Sequence, residues 1–374
     1  MTLETTLQGL MNDSESIISS EFHLKLEKSK LKIYSPEQWK EFHEANKDSI
    51  IGFNKNDVGL YVPTSYSAYV RSDSPVVISN IFHEYFGHGL FCEHSAYGKT
   101  LVNLLQKENL PEGFMQDYLY CNLFTPNPSN QPWGIGTNRI GSYEGFALWM
   151  ESWLCKATGN DNIWELKKNH LPNDYRNLFE YTAESEKHLT KFGFMKAMGF
   201  PKECDGEKVM VTLKNIYGDS FNNIDFVMLY GSKKPESDID LLVVSKNPSV
   251  NFFNGWLDIY ELNRDKFNEL TKKLDISVTD PLFCGEVIYG DKNHVEELKR
   301  NVLQQPISQE AIHHNFARGR QQEACASRML SLPTRDYENS LKYSKTYKIN
   351  AEELSKGRKI LTLDNMKREY NLLI

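Results

Sequence analysis

Two stretches of this chain carry side chains whose types and spacing suit metal chemistry. In ISNIFHEYFGHGLFCEH, Ile78–His94, two histidines flank a glutamate in the order His83-Glu84-Tyr85-Phe86-Gly87-His88. In FVMLYGSKKPESDIDLLVVS, an apolar strand ends in Gly231-Ser232, and Asp238 and Asp240 open the next strand. A divalent metal needs three or four donors converging on one point. Histidines four apart on a helix lie ~40° apart around its axis and can share a metal, but five apart they lie ~140° apart. A π-bulge absorbs the extra residue and restores a common face, and Gly87 beside His88 makes that distortion cheaper. A His-Glu-His set without a role would bury three ionisable groups in an apolar helix for nothing. In the second stretch, strand period two puts both carboxylates on one face. Their charges repel unless divalent cations sit between them and a triphosphate. Metals held this way activate a nucleophile and steady a leaving pyrophosphate. Gly231 allows close backbone approach to phosphates, and the Ser232 hydroxyl and N–H can bind them.

HEYFGHG resembles the H-E-x-x-G-H motif of the dipeptidyl-peptidase III metallopeptidases, and E-G-F-A at Glu144 is similar to the third-ligand segment of the gluzincin aminopeptidases. The resemblance covers two helices and their spacing. It implies His83, His88 and Glu144 as zinc ligands and Glu84 as the general base for hydrolysis of a peptide or amide. His94 follows His88 at the metzincin spacing, but Phe91 stands where those enzymes need glycine, so Glu144 is preferred. Tyr143, Tyr181 and His188 are candidate transition-state donors. The segment GLYVP just upstream reads as an edge strand able to hold an extended peptide.

The second stretch is similar to the polymerase β-like nucleotidyltransferases, with h-G-S, a spacer and D-h-D-h. The similarity runs over about residues 208–305, with a spacer shorter than usual. It implies a third carboxylate on a following strand: Asp258 in GWLDIYELN, with Asp275 as the alternative. The pattern through DPLFCGEVIYGD looks like the aminoglycoside branch and favours Asp258. The resemblance implies Mg2+ and a nucleoside triphosphate as cofactors, and an acceptor that is a small molecule, protein or RNA. Arg318, Arg320, Lys356 and Arg358 are candidate phosphate contacts in the tail.

The elements around these residues follow from patterning. Residues 22–34 alternate like a strand pair, and Ser35-Pro36-Glu37-Gln38 opens a helix with a capping box. Strands are expected at 58–63 and 67–71, and helices at 76–92, 142–159 and 180–199. A long loop is expected at 125–139. Beyond Cys204 the texture changes to a helix at 208–216, strands at IDFVMLYG, DIDLLVVS and GWLDIYELN, a helix at 266–274, and a helical tail. The expected fold class is therefore α+β in two domains. Residues 1–203 form a mostly helical gluzincin-like domain with a small edge sheet. Residues 204–305 form a nucleotidyltransferase core, and 306–374 a C-terminal helical region.

The 374 residues are 40% hydrophobic and 25% charged, with a net charge of −7, so the total charge gives no strong nucleic-acid or anionic-membrane signature. The six cysteines are scattered, no apolar run reaches the ~20 residues of a membrane helix, and the start has no signal-like pattern. A cytoplasmic protein with reduced thiols is expected.

Overall fold

The computed structural model describes residues 3–47, 53–107, 120–124, 137–248, 252–253, 256–328 and 335–370. The chain divides into two compact units, Met1–Glu203 and Cys204–Ile374, and the fold is α+β. Among the described residues no helix is long and apolar enough to cross a membrane.

The first unit opens with a helix, Leu3–Phe22, and the alternating segment after it yields one strand rather than two, Lys30–Tyr34 (β1). The reason lies in the backbone of the preceding loop. The buried Glu93 carboxylate accepts the N–H groups of Glu27, Lys28 and Ser29 at 2.8, 3.0 and 2.7 Å. Donors used this way have no ladder to join. The Ser35 capping box forms as its spacing predicts and starts the helix Pro36–Asn46. Strands β2 (Gly59–Val62) and β3 (Ser67–Arg71) fall where patterning puts them. β3 is central, parallel to β1 and antiparallel to β2, which leaves β2 on an edge. Trp39, Phe42, Phe53 and Tyr69 pack together against this sheet, with Phe42 stacked on Tyr69 at 4.4 Å.

The histidine helix is continuous from Val77 to His94, but its middle turn, Phe82–His88, is a π-helix. It lies against the helix Ser142–Ala157. A Cβ on Gly87 would fall 2.7 Å from the Ala147 Cα. Gly87 is therefore needed for helix–helix approach, a different reason from the conformational one read in sequence. Of the loop expected at 125–139, residues 125–136 lie outside the described residues. The remainder belongs to a hairpin of β4 (Tyr120–Phe124) and β5 (Thr137–Gly141). The helix Ser142–Ala157 stops just short of Gly159, whose φ is +71°. The helices Asp161–His170 and Asn173–Ala197 complete the unit; the latter kinks at Thr190.

The second unit is a five-stranded mixed sheet with helices. Its strands are β6 (Ile224–Tyr230), β7 (Ile239–Ser245), β8 (Phe252–Phe253), β9 (Leu257–Asn263) and β10 (Glu286–Gly290), in the order β10-β6-β7-β9-β8. β6 and β7 are antiparallel, whereas β7 and β9 are parallel. Residues on one face of this sheet, including Phe226, Met228, Leu242 and Val244, are buried with Phe267, Val278 and Leu282 of the following helices. The segment DISVTDP forms the start of a helix, Ile276–Cys284, with Asp275 as its N-cap. The tail is helical over Lys292–Gln304, Gln309–Arg328, Arg335–Ser355 and Leu363–Tyr370.

Candidate metal centres

The π-turn decides the geometry of the first centre. With one residue more per turn, His83 and His88 share a face and their rings sit edge to face at 4.8 Å. Ligand atoms of His83, Glu84 and His88 all lie within 4.8 Å of one another. The facing helix brings Glu144 to the same point: its carboxylate oxygens lie 3.4 Å from His83 Nε2 and 3.7 Å from His88 Nε2. Donors of a tetrahedral zinc ion, each about 2.0–2.1 Å from the metal, stand about 3.3 Å apart. The three side chains thus fit such an ion with small adjustments. Glu84 lies 4.0 Å from His88 Nε2 and beside the edge strand, where a Cβ on Gly59 would fall 2.7 Å from its Oε1.

Behind the histidines stands a buried polar network that patterning did not single out. His83 Nδ1 bonds Glu151 Oε2 at 3.0 Å. Glu151, with no exposed surface, also accepts from Lys167 Nζ at 2.7 Å and from the Ser79 hydroxyl. This bond holds the proton on His83 Nδ1, so that a metal displacing the Nε2 proton would find that lone pair beside Glu144. The sequence does hold a signal for Glu151: it lies seven residues after Glu144, two turns along the same face of an apolar helix. Lys167 lies on another helix and had none.

Burial shapes the proton inventory. It pushes His88 down to about 3, so this ring is neutral at pH 7. Burial also works against a charge on His83, yet its bonds to Glu144 and Glu151 push it up to about 10. A proton and a metal ion therefore compete for the His83 Nε2 lone pair. Burial, with Glu144 nearby, lifts Glu84 to about 7, suited to a base working near neutrality.

Of the other candidates in this unit, His94 turns away: its Nε2 bonds the Lys25 carbonyl at 2.7 Å. Tyr143 stacks on His88 at 3.9 Å and forms a wall of the centre. Tyr181 is exposed, and His188 pairs with Glu184 at 3.2 Å. Tyr175, which patterning missed, is pushed up to about 12 by the Glu144 carboxylate, by burial and by Glu84. It stands on the helix Asn173–Ala197 and is 40% exposed.

The second centre is built by strand register. Asp240 on β7 stands opposite Asp258 on the parallel β9 and opposite Tyr230 on β6, so the three form a row across the sheet. Carboxylate oxygens of Asp238, Asp240 and Asp258 lie within 4.8 Å of one another. Gly231 follows Tyr230 with φ +71°, and a Cβ there would fall 2.0 Å from Asp240 Oδ2. Only glycine lets the chain turn this close to the carboxylate. The adjoining Ser232 is exposed. Burial, then the charges of Asp238, Asp258 and Asp280, push Asp240 up to about 7. Three carboxylates this close are a natural seat for a divalent ion.

Asp275, the alternative third carboxylate, is elsewhere. It is fully buried and accepts from the Ser277 N–H and hydroxyl at 2.9 and 2.8 Å, from the Tyr347 hydroxyl at 2.9 Å, and bonds His314 Nε2 at 2.6 Å. Beside the aspartate row opens a cavity of about 450 Å3 whose walls include Tyr260, Tyr343, Arg318 and Asp280. The Arg318 guanidinium lies over the Tyr347 ring at 5.3 Å. Among the tail cations read as candidates, Arg318 lines this cavity, while Lys356 and Arg358 bind Glu353 at 2.8 and 3.0 Å. Arg320 is exposed and does not line it.

No protein-family model and no curated protein matches the chain. Among solved structures, the chain is similar to a nucleotidyltransferase-like protein from Exiguobacterium sibiricum 255-15, at 13% identity and a TM-score of 0.26. The alignment covers 44% of this chain and 62% of that one, a likeness too slight to assign fold or function.

Proposed function

We propose that the second unit transfers a nucleoside monophosphate from a nucleoside triphosphate to an acceptor hydroxyl. The observation that carries this reading is the row of Asp240 and Asp258, with Asp238, packed against the Gly231 turn. Asp238 and Asp240 would hold Mg2+ together with Asp258. Such ions supply charge neutralisation of the phosphates and of the leaving pyrophosphate. The chain's own residues then do the rest. The Gly231-Ser232 backbone and the Ser232 hydroxyl receive the triphosphate. Arg318, the one cation lining the cavity among the described residues, would face its negative charge. The tyrosine walls offer faces on which a base can stack. Mixing each of the four triphosphates with Mg2+ and the protein tests this. Pyrophosphate release is expected from at least one, and Asp238→Ala should abolish it. Equal release by Asp238→Ala would remove the site.

A second reading belongs to the first unit, favoured by the convergence of Glu144 on the π-turn histidines. His83, His88 and Glu144 would hold zinc, whose Lewis acidity polarises water and a carbonyl. Glu84 takes the proton from the attacking water. β2, an edge strand beside Glu84, can pair with an extended peptide. Zinc that copurifies with the protein and is lost in His83→Ala supports this reading, provided that a peptide, amide or ester is turned over. Zinc without turnover leaves a binding or structural metal.

A further inference from the structure

The transfer reaction leaves one proton unassigned. An acceptor O–H attacks the α-phosphorus, an O–P bond forms, and the bond from the α-phosphorus to the pyrophosphate oxygen breaks. The pyrophosphate leaves with that electron pair, and the acceptor's proton must go to a base within hydrogen-bond reach. Asp258 is a poor choice. It stands opposite Asp240 in the ladder and within 4.8 Å of both other aspartates, so it is committed to the cation. A carboxylate whose lone pairs face a divalent ion is a weakened base. Asp275 is excluded too, since Ser277, Tyr347 and His314 occupy both of its oxygens.

The cavity beside the aspartate row is lined, among the described residues, by one further carboxylate, Asp280. It projects from the helix Ile276–Cys284 and is only 8% exposed. One of its oxygens accepts the Leu363 N–H at 2.7 Å, which anchors the side chain at the start of the helix Leu363–Tyr370. Asp280 and the row share an environment. Burial, together with the charges of Asp240, Asp258 and Asp280, raises the Tyr343 hydroxyl, and the same three carboxylates act on Tyr230. Burial also holds Asp280 above the usual carboxylate range.

Resting on the nucleotidyl-transfer reading above, we propose that Asp280 is the general base that takes the acceptor's proton. The Leu363 N–H fixes the group, the exposed and movable Cys284 thiol adds a weak bond that an acceptor hydroxyl can displace, and the carboxylate takes the proton. Asp280→Asn separates the two roles, because an amide oxygen still accepts from the Leu363 N–H but the group no longer takes a proton. The probe is water as acceptor: each α-labelled triphosphate with Mg2+, read as labelled monophosphate. In Asp280→Asn, kcat should fall roughly 10²- to 10³-fold, with Mg2+–triphosphate affinity within threefold of wild type and the melting temperature unchanged. Turnover by Asp280→Asn within threefold of wild type overturns the proposal. So does a loss of triphosphate affinity or of melting temperature that accounts for the defect. Asp240→Asn run in parallel separates the two levels of the argument. If it is inactive while Asp280→Asn is active, the transfer site stands and the base assignment falls. If Asp240→Asn is as active as wild type, or wild type yields no monophosphate from any triphosphate, the transfer reading falls and the assignment with it.

Discussion

The two centres balance their charges in different ways. Around His83 and His88 the protein supplies its own counter-ions: Glu144 faces the imidazoles, Glu151 orients one of them, and Lys167 neutralises Glu151. Around Asp238, Asp240 and Asp258 three carboxylates crowd together, and burial, with the charges of its neighbours, pushes Asp240 up to about 7. The first centre is thus organised by helix packing and a buried network before any ligand arrives. On the proposed reading the second would take its balance from cations that come with a triphosphate. A preorganised site loses most when a positioning group is removed. A site organised by its cation loses most when the cation's ligands are removed.

The largest effects are expected at the ligands. His83→Ala removes one of the three proposed zinc donors and should weaken zinc binding by on the order of 10³-fold, measured by chelator competition. Unchanged affinity would show that the histidine pair holds no metal. Next comes Gly231→Ala, whose Cβ meets the Asp240 carboxylate at 2.0 Å and whose φ is left-handed. Triphosphate turnover should be lost, with a stability cost of about 1–3 kcal/mol by chemical denaturation. Normal turnover would mean that the turn does not abut the working carboxylate. Glu151→Gln sharpens the contrast, because it leaves every ligand in place. Zinc affinity should fall about 10- to 100-fold while triphosphate binding stays at the wild-type value. An unchanged zinc affinity would reduce the network to a packing device.

The smallest effect concerns Asp275. Its buried carboxylate is held below its ordinary value of 3.8: burial opposes the charge, and the bonds from His314, Ser277 and Tyr347 outweigh it. A depressed folded-state pKa contributes stability that is present above pH 3.8 and lost as pH falls through the folded value. Asp275→Asn should therefore be less stable than wild type at pH 7, and the gap should narrow below pH 3.8. A gap independent of pH would assign the effect to packing alone.

Much of both centres was legible because their signals are local. His83, Glu84 and His88 sit within six residues, and their five-residue spacing already demanded a local unwinding of the helix. Asp238 and Asp240 sit within three, after a glycine that ends an apolar strand. The choice of Asp258 over Asp275 rested on resemblance; strand register puts Asp258 opposite Asp240, while Asp275 caps a helix. What local patterning missed is non-local. Lys167 reaches Glu151 from another helix, and the charge of Glu144 acts on Tyr175 of a third. Residues 22–34 alternate well enough for two strands, but a carboxylate more than sixty positions away captured their amides. In sequence Gly87 offers only conformational freedom, and its packing against Ala147 appears only when the second helix is in place.

The central claim is that Asp238, Asp240 and Asp258 bind a divalent cation together with a triphosphate. Calorimetric titration of each nucleoside triphosphate, with and without Mg2+, into wild type and Asp240→Asn tests it most directly. Saturable, Mg2+-dependent binding of at least one triphosphate to wild type, absent from Asp240→Asn, is the predicted result. Binding that ignores Mg2+, or that Asp240→Asn retains in full, contradicts it.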